Sequence, residues 1–301
     1  MSIPAAEGRT PFRGYETWYR VVGVEEEPGK LPVLCLHGGP GATHWYLEPL
    51  EGIARGGRRA VFYDQLGCGA SSQPHDPSLW TVELFVDEVY AVREALGLER
   101  LHLFGNSWGG MLAMEVALTK PDWLASLVLA SSPASIPQWV AETGRLRALL
   151  PDDVQATLTR HEDAGTTNSA EYEEACLVFY RRHVCRVDPF PDCVARAFAE
   201  LSREVYETMN GPSEFHVTGT LREWSVVPRL GEIDVPALVV SGEHDEATPA
   251  VSRTVHEGIR GSELAIVDGC SHMAHVEQPE RYLALLDGFF SRVEGAIQAA
   301  R

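Results

Sequence analysis

A serine that could act as a nucleophile lies in residues 105–110, which read Gly-Asn-Ser-Trp-Gly-Gly and match the pattern G-x-S-x-G. The apolar run 101–104 before it predicts a short buried strand, and the run 111–118 after it predicts a helix. A tight turn between them would hold Ser107 at a helix N-terminus, where free N–H groups favour a developing negative charge. The pattern therefore predicts a nucleophile elbow, although it also occurs by chance in glycine-rich turns.

A serine hydroxyl needs a base to take its proton, and the base needs an acid to orient it. Asp245 follows the apolar run 235–241, and His272 follows the last strand-like run, 263–267. The order Ser, Asp, His along the chain is the one expected of an α/β-hydrolase. We therefore predict Ser107 as nucleophile, His272 as base and Asp245 as orienting acid.

Other acids and histidines compete for these roles, and their positions in the chain argue against them. Asp64 precedes the serine, and we expect it to hold the backbone of its own loop. Asp234 lies at the wrong end of its strand, and Asp268 lies too close to the histidine on the same loop. His244 adjoins the predicted acid, and His275 lies further along the chain than the predicted base. Position in the fold, rather than residue type, carries the assignment.

Residues 37–41 (His-Gly-Gly-Pro-Gly) follow the strand-like run 32–36 and suit neither a helix nor a regular strand. Glycines at the end of a buried strand allow backbone N–H groups to face a ligand at close range. An acyl-transfer enzyme needs such donors for its oxyanion, and a plain tight turn is the alternative. We predict an oxyanion hole formed by the backbone N–H groups of Gly39 and Trp108.

The elements that must position these residues alternate between strand-like and helical patterns. Residues 81–96 predict an amphipathic helix with Thr81 as N-cap, and residues 280–292 predict a closing helix. This alternation predicts an α/β protein with the α/β-hydrolase fold, in which a mostly parallel central sheet has helices on both faces. In such sheets, ligands bind beyond the carboxyl ends of the strands, where the loops above lie. Strand-like runs occur at residues 15–22, which suit an antiparallel edge, and at 32–36, 60–63, 101–104, 126–130, 235–241 and 263–267.

Residues 133–222 differ in character, since they are rich in Ala, Glu, Arg and Leu and contain no long β-branched run. We interpret them as several helices inserted between two strands, where they would form a lid over the carboxyl ends. The chain then divides into a first core part at 1–132, a helical lid at 133–222 and a second core part at 223–301.

The composition is that of an ordinary soluble globular protein, with 45% hydrophobic and 23% charged residues among 301. The net charge of −18 argues against nucleic acid and anionic membranes as partners. No apolar stretch is long enough to span a membrane, and residues 1–13 lack the apolar core of a signal peptide. The six cysteines form no C-x-x-C pair, which favours reduced thiols and a cytoplasmic location.

Several motifs together resemble those of the proline iminopeptidases, a branch of the α/β-hydrolases. The most specific are His-Gly-Gly-Pro-Gly and a second loop, Asp-Gln-Leu-Gly-Cys-Gly-Ala-Ser. Another segment, Met-Asn-Gly-Pro-Ser-Glu-Phe, resembles the broad-specificity members. The resemblance covers nearly the whole chain, and the matching segments are residues 37–41, 64–71, 105–110, 209–215, 242–249 and 269–273.

The resemblance implies a serine hydrolase that releases N-terminal amino acids from peptides through an acyl-enzyme, preferring proline or acting broadly. Its substrate, a small peptide or an amino-acid amide, carries a free α-amino group, and no metal or cofactor takes part. By motif, Glu214 and Glu246 would bind the substrate ammonium, because a desolvated ammonium needs paired carboxylates. Tyr206 would add a hydroxyl contact. Without the resemblance, both glutamates are interpreted as ordinary surface acids.

Three alternatives stay open on the sequence. An L-amino-acid amidase, such as a proline amide hydrolase, has similar motifs and needs the same ammonium recognition. An esterase of an unrelated acid would make the two glutamates incidental. A non-catalytic binding protein on this fold would be expected to lack a triad residue. The residue preferred in the first subsite and the oligomeric state do not follow from the sequence.

Overall fold

The centre of the computed structural model is one sheet of eight strands. The structure describes residues 3–300. Residues 1, 2 and 301, which are the terminal residues of the predicted core ranges 1–132 and 223–301, lie outside the described part. In chain order the strands are β1 (Ala5–Phe12), β2 (Tyr15–Val22), β3 (Val33–Leu36), β4 (Ala60–Tyr63), β5 (Leu101–Asn106), β6 (Leu124–Ala130), β7 (Ala237–Gly242) and β8 (Glu263–Val267).

The strands lie in the order β1-β2-β4-β3-β5-β6-β7-β8 across the sheet. β2 pairs antiparallel with β1 and β4, and the pairings from β4 to β8 are all parallel. The predicted fold class is therefore confirmed. The predicted edge position of residues 15–22 is wrong, because β1 pairs along the outer side of that strand. β1 is mostly exposed and lacks a clear apolar alternation, so its backbone pairing with β2 defines it.

Apolar side chains on the two faces of the sheet pack into separate clusters. On β3, Leu34 and Leu36 belong to one cluster, whereas Val33 and Cys35 belong to the other, as the period of two requires. Among residues 3–300, no helix combines the length and the apolar composition needed to cross a membrane. The α helices are α1 (Val82–Ala95), α2 (Trp108–Leu118), α3 (Ile136–Arg147), α4 (Asp152–Ala164), α5 (Ala170–His183), α6 (Asp192–Ala199), α7 (Arg203–Met209), α8 (Pro249–Gly258), α9 (Ala274–Glu277) and α10 (Pro279–Ala299).

Helices cover both faces of the sheet. Buried residues of α1, α2 and α8 join the first apolar cluster, and those of α10 join the second. Helices α3 to α7 lie between β6 and β7, where the sequence predicts inserted helices. Leu146, Leu158 and Phe179, from three of these helices, form a third apolar cluster with their neighbours. We call residues 133–222 the helical cap, and its separation from the core as a domain stays a prediction.

Candidate active site

β5 turns directly into α2 at Ser107, whose backbone has φ +57° and ψ −123°. A positive φ is costly for a residue with a side chain, so the surroundings must hold the turn. A Cβ on Gly105 would lie 2.1 Å from Gly109 O, and a Cβ on Gly109 would lie 2.2 Å from Leu36 O. The strand, tight turn and helix expected around a nucleophilic serine are therefore present, and both glycines are sterically required.

Asp245 and His272 lie in the loops after β7 and β8, at the same edge of the sheet as Ser107. His272 Nδ1 is 2.8 Å from Asp245 Oδ1, and both side chains are buried. Ser107 and His272 line one cavity of about 630 Å³. Among residues 3–300, no hydrogen bond joins their side chains, and such bonds often form only when a substrate is bound.

The competing acids and histidines take structural or exposed positions. Asp64 accepts a hydrogen bond from the backbone N–H of Ala70 in its own loop, as predicted, and another from the N–H of His44. The side chains of Asp234 and Asp268 are 81% and 82% exposed. His275 is buried against a backbone carbonyl, and His244 is partly exposed beside a surface glutamate. In the described part of the chain, no group of three or more His, Cys, Asp or Glu side chains is placed to hold a metal ion.

The backbone of His272 is held by two residues that sequence reasoning missed. Its N–H donates to the carbonyl of His183, at the end of α5, over 3.1 Å. Its own carbonyl accepts a 3.1 Å hydrogen bond from the hydroxyl of Ser131, a buried residue with φ +52° after β6. The N–H of Glu246 also donates to the His183 carbonyl, over 3.2 Å. Contacts of this kind leave no motif in the sequence, because backbone groups make most of them.

The glycine loop after β3 lies against Ser107. A Cβ on Gly38 would come within 3.0 Å of the Ser107 Cβ, and Gly39 has φ +108°, which suits glycine. The N–H of Gly38 donates to the hydroxyl of Tyr46 over 2.6 Å, which fixes this peptide. Gly39, Ser107 and Trp108 line a common cleft, so both predicted oxyanion donors belong to residues that border the serine.

Four glutamates line the same cavity as Ser107, and two of them, Glu246 and Glu214, have raised pKa values. Glu246 is buried; its Oε1 is 3.6 Å from His272 Nδ1, and its Oε2 has no hydrogen-bond partner among residues 3–300. Glu214 accepts a 2.6 Å hydrogen bond from the hydroxyl of Tyr206, and all three side chains line the cavity. Burial raises the pKa of both carboxyls, and the nearby charge of Glu214 raises that of Glu246 further. Among residues 3–300, neither of these two acidic groups is paired with a Lys or Arg side chain.

Sequence comparison identifies relatives over nearly the whole chain. Residues 32–279 match the family described as alpha/beta hydrolase fold. A proline iminopeptidase from Lactobacillus helveticus (strain DPC 4571) is 42% identical over 284 residues, which cover 93% of this chain and 96% of the relative. A proline iminopeptidase from Saccharolobus solfataricus is 37% identical over 294 residues, which cover 97% and 94% of the two chains.

Two solved structures are similar in both fold and sequence. The structure of VinJ matches with a TM-score of 0.93 at 45% identity, covering 96% of this chain and 99% of that one. The structure of a proline iminopeptidase from Mycobacterium smegmatis matches with a TM-score of 0.90 at 44% identity, covering 97% and 100%. The chain is thus an enzyme, and it belongs to the proline iminopeptidase family of the α/β-hydrolases.

Proposed function

We propose that this enzyme is a serine aminopeptidase that releases an N-terminal residue, with proline preferred, from small peptides through an acyl-enzyme on Ser107. Relatives named proline iminopeptidase support a peptide substrate. The observation that carries the proposal is the presence of Glu214 and Glu246 in the cavity that also contains Ser107 and His272. A nucleophile and a cation site in one cavity fit a substrate whose free amino group lies near the bond to be cleaved.

The two glutamates favour a cationic ligand on electrostatic grounds. Burial raises both pKa values, and although the charge of the His272 ring lowers that of Glu214, neither carboxylate has a Lys or Arg counter-charge among residues 3–300. A substrate ammonium between them would supply that charge and allow both to ionise. The N-terminal nitrogen of proline is a secondary amine, so its protonated form carries two N–H donors. The free Oε2 of Glu246 and the carboxylate of Glu214 would supply two acceptors.

Binding the ammonium also determines which peptide bond is cut. Covalent geometry sets a short, nearly fixed distance from the N-terminal nitrogen to the carbonyl carbon of the same residue. When the nitrogen is held by the glutamates, only this first carbonyl can reach Ser107. Helices α5 to α7 wall the cavity and would shield it from bulk water, which strengthens every electrostatic interaction inside. The helical cap and the two acids together would therefore produce cleavage one residue at a time.

In the proposed reaction, Ser107 Oγ attacks the first carbonyl carbon while His272 Nε2 takes the serine proton. The peptide C–N bond then breaks, His272 returns the proton to the leaving amine, and an ester forms on Ser107. Water, deprotonated by His272, attacks this ester; the bond between the acyl carbon and Ser107 Oγ breaks, His272 returns the proton to Oγ, and the free amino acid is released. Asp245, 2.8 Å from Nδ1, keeps the ring oriented and stabilises the imidazolium of each step. The N–H groups of Gly39 and Trp108 would stabilise the oxyanion.

A substrate panel tests the proposal. We expect cleavage of prolyl anilide and of short peptides with N-terminal proline, and no cleavage of N-acetylprolyl anilide, since acetylation removes the ammonium charge. Ser107→Ala is expected to abolish turnover, with its fold checked by circular dichroism. Substantial activity in Ser107→Ala would contradict the acyl-enzyme. A strong preference for prolinamide over dipeptides would indicate the amidase alternative, and activity confined to simple esters would contradict both amino-acid hydrolases.

A further inference from the structure

The side chain of Gln65 connects two parts of the chain that both border Ser107. It is completely buried, and its amide makes two hydrogen bonds of 2.9 Å. The NH2 group donates to the backbone carbonyl of His37, and the amide oxygen accepts from the indole N–H of Trp108. Because a carbonyl only accepts and an indole N–H only donates, these partners determine the orientation of the amide.

His37 extends this constraint to the first oxyanion donor. The backbone N–H of Gln65 donates to His37 Nε2 over 3.0 Å, so the proton of the neutral ring lies on Nδ1, which donates to the carbonyl of Gly38 over 2.9 Å. Burial lowers the pKa of His37 to about 4, which keeps the ring neutral at pH 7. The Gly38 carbonyl and the Gly39 N–H belong to one planar trans peptide and point in opposite directions. Fixing the carbonyl therefore fixes the direction of the N–H.

Trp108 provides the connection to the second donor. It is the first residue of α2, and its backbone N–H is the other predicted oxyanion donor. Its indole ring is buried, and the bond to the Gln65 amide oxygen holds the polar end of that ring. A single amide group therefore connects the loop that carries one donor to the residue that carries the other.

We propose that Gln65 is a positioning residue that sets the spacing and direction of the two oxyanion-hole N–H groups, those of Gly39 and Trp108. It acts through His37 and the Trp108 indole, and it does not line the substrate cavity. The inference rests on the proposed serine mechanism, in which an oxyanion forms beside Ser107. Small displacements matter here, because hydrogen bonds to an oxyanion weaken steeply with distance and angle.

The hydrogen bonds of the Gln65 amide are not needed to hold the loop in which Gln65 lies. Glu88 accepts a 2.9 Å hydrogen bond from the N–H of Leu66, and the hydroxyl of Ser71 donates to the carbonyl of Asp64. These bonds hold the loop after β4 without any contribution from the Gln65 amide. The amide is directed instead toward the two segments that carry the oxyanion donors.

The test compares Gln65→Met and Trp108→Phe with two controls in the whole enzyme. Gln65→Met keeps a similar volume but removes both amide bonds, and Trp108→Phe removes the bond to the amide oxygen, together with some buried ring volume, while the bond to His37 stays. Gln155→Met makes the same change at a site in α4, where the amide bonds the carbonyl of Leu150 over 2.7 Å. Ser71→Ala loosens the loop of Gln65 itself without touching its amide.

Two probes separate positioning from general damage. L-prolinal, the aldehyde of proline, adds the Ser107 hydroxyl across its C=O bond and forms a hemiacetal whose oxygen lies in the oxyanion hole. L-proline, the proposed product, binds without forming that oxygen. We expect Gln65→Met to lower kcat about 10- to 100-fold and to weaken prolinal binding by a similar factor, with KM and proline binding changed less than about threefold. Both controls should stay within about threefold of the wild type in every measurement.

Trp108→Phe should lower kcat and prolinal affinity less than Gln65→Met does. In the double variant, the fold-loss should be smaller than the product of the two single fold-losses, because both changes remove the same hydrogen bond between Gln65 and Trp108. Should Gln65→Met fail to fold, Trp108→Phe carries the same comparison. Equal losses of prolinal and proline binding, or an equal loss in Ser71→Ala, would overturn the positioning role. A wild-type enzyme that binds no prolinal would instead overturn the serine mechanism and, with it, this inference.

Discussion

Two adjacent acids in the site have different surroundings, and these surroundings separate their roles. Asp245 Oδ1 lies 2.8 Å from His272 Nδ1 and accepts a 2.8 Å bond from the N–H of Ala247, so its charge is compensated locally. Glu246 has one oxygen without a partner among residues 3–300, and burial raises its pKa. At the scale of single residues, this difference supports the proposal that Asp245 orients His272 and that Glu246 binds a ligand.

Glu214→Gln tests the ligand role of the second glutamate. The amide oxygen can still accept the bond from Tyr206, but the charge that would meet the ammonium is gone. We expect KM for prolyl anilide to rise about 10- to 100-fold, the range for losing a hydrogen bond to a charged group, with little change on an ester that lacks an amino group. Glu207→Gln, an exposed acid lining the same cavity, is the matched control. An equal loss on both substrates would exclude ammonium binding by Glu214.

At the scale of elements, the site depends on how closely β5, α2 and the loop after β3 approach one another. Gly105 and Gly109 allow this approach, because any Cβ at either position would overlap a backbone atom. A neighbouring backbone cannot move aside as a flexible side chain can. The elbow is therefore constrained by sterics, independently of its proposed role in catalysis.

Gly105→Ala is expected to destabilise the enzyme by several kcal/mol or to prevent folding, because its Cβ would lie 2.1 Å from Gly109 O. Gly144→Ala is the control: this glycine is exposed in α3 and nothing lies within 4 Å of its Cβ position. In a helix interior, that change should stabilise by about 0.5–1 kcal/mol. Thermal unfolding measures both, and a stable, active Gly105→Ala would contradict the steric argument.

At the scale of the whole molecule, two buried acids, Glu88 and Glu294, make the free energy of unfolding change with pH in opposite directions. Burial raises the pKa of Glu88 to about 8, although bonds from Thr17 and the Leu66 N–H partly oppose this. Burial also disfavours ionisation of Glu294, but its bonds to His102 and Arg58 outweigh that effect and lower the pKa to about 2. The stabilisation from Glu294 is present above its ordinary pKa and is lost as the pH falls toward 2.

Glu88→Gln should change the pH dependence of stability. Between about pH 4.5 and 8, Glu88 is protonated in the folded enzyme and ionised in the unfolded chain. The folded state then binds more protons, so stability decreases as the pH rises, by up to about 1.4 kcal/mol per pH unit. Glutamine removes this contribution. In denaturant unfolding, the free energy of unfolding of the variant relative to that of the wild type should therefore be higher at pH 8 than at pH 5. A difference that is the same at both pH values would contradict the assignment.

The fold and the arrangement of the site could be predicted largely because strand ends are easy to recognise. Apolar runs identified the parallel strands, and the rule that ligands bind beyond their carboxyl ends placed Ser107, Asp245 and His272 at one edge. Local signals were also reliable at α1, where Thr81 Oγ1 accepts from the N–H of Leu84 as an N-cap. The roles of these three residues in catalysis stay a prediction.

Features that depend on tertiary backbone contacts could not be predicted. β1 is defined by pairing with β2, whereas the 3-10 helix His44–Gly56 was missed although its buried residues His44, Leu47, Leu50 and Ile53 recur every third residue. The hydroxyl of Ser131 and the backbone carbonyl of His183 hold the backbone of His272, and neither contact follows from a local sequence pattern because the partners are far apart in the chain. Gln65 was visible within a motif, but its two partners lie in segments that only the folded chain brings together.

The last turn of α5 has a consequence for how enzymes of this design can diversify. The carbonyl of His183 accepts hydrogen bonds from both Glu246 and His272, and the carbonyl of Val184 accepts one from Met273. The helical cap therefore cannot be replaced independently of the core, because a replacement that moved this turn would also move the loops that carry His272 and Glu246. We expect substitutions in α6 and α7 to change the substrate range with less disturbance, because these helices line the cavity but do not include the last turn of α5.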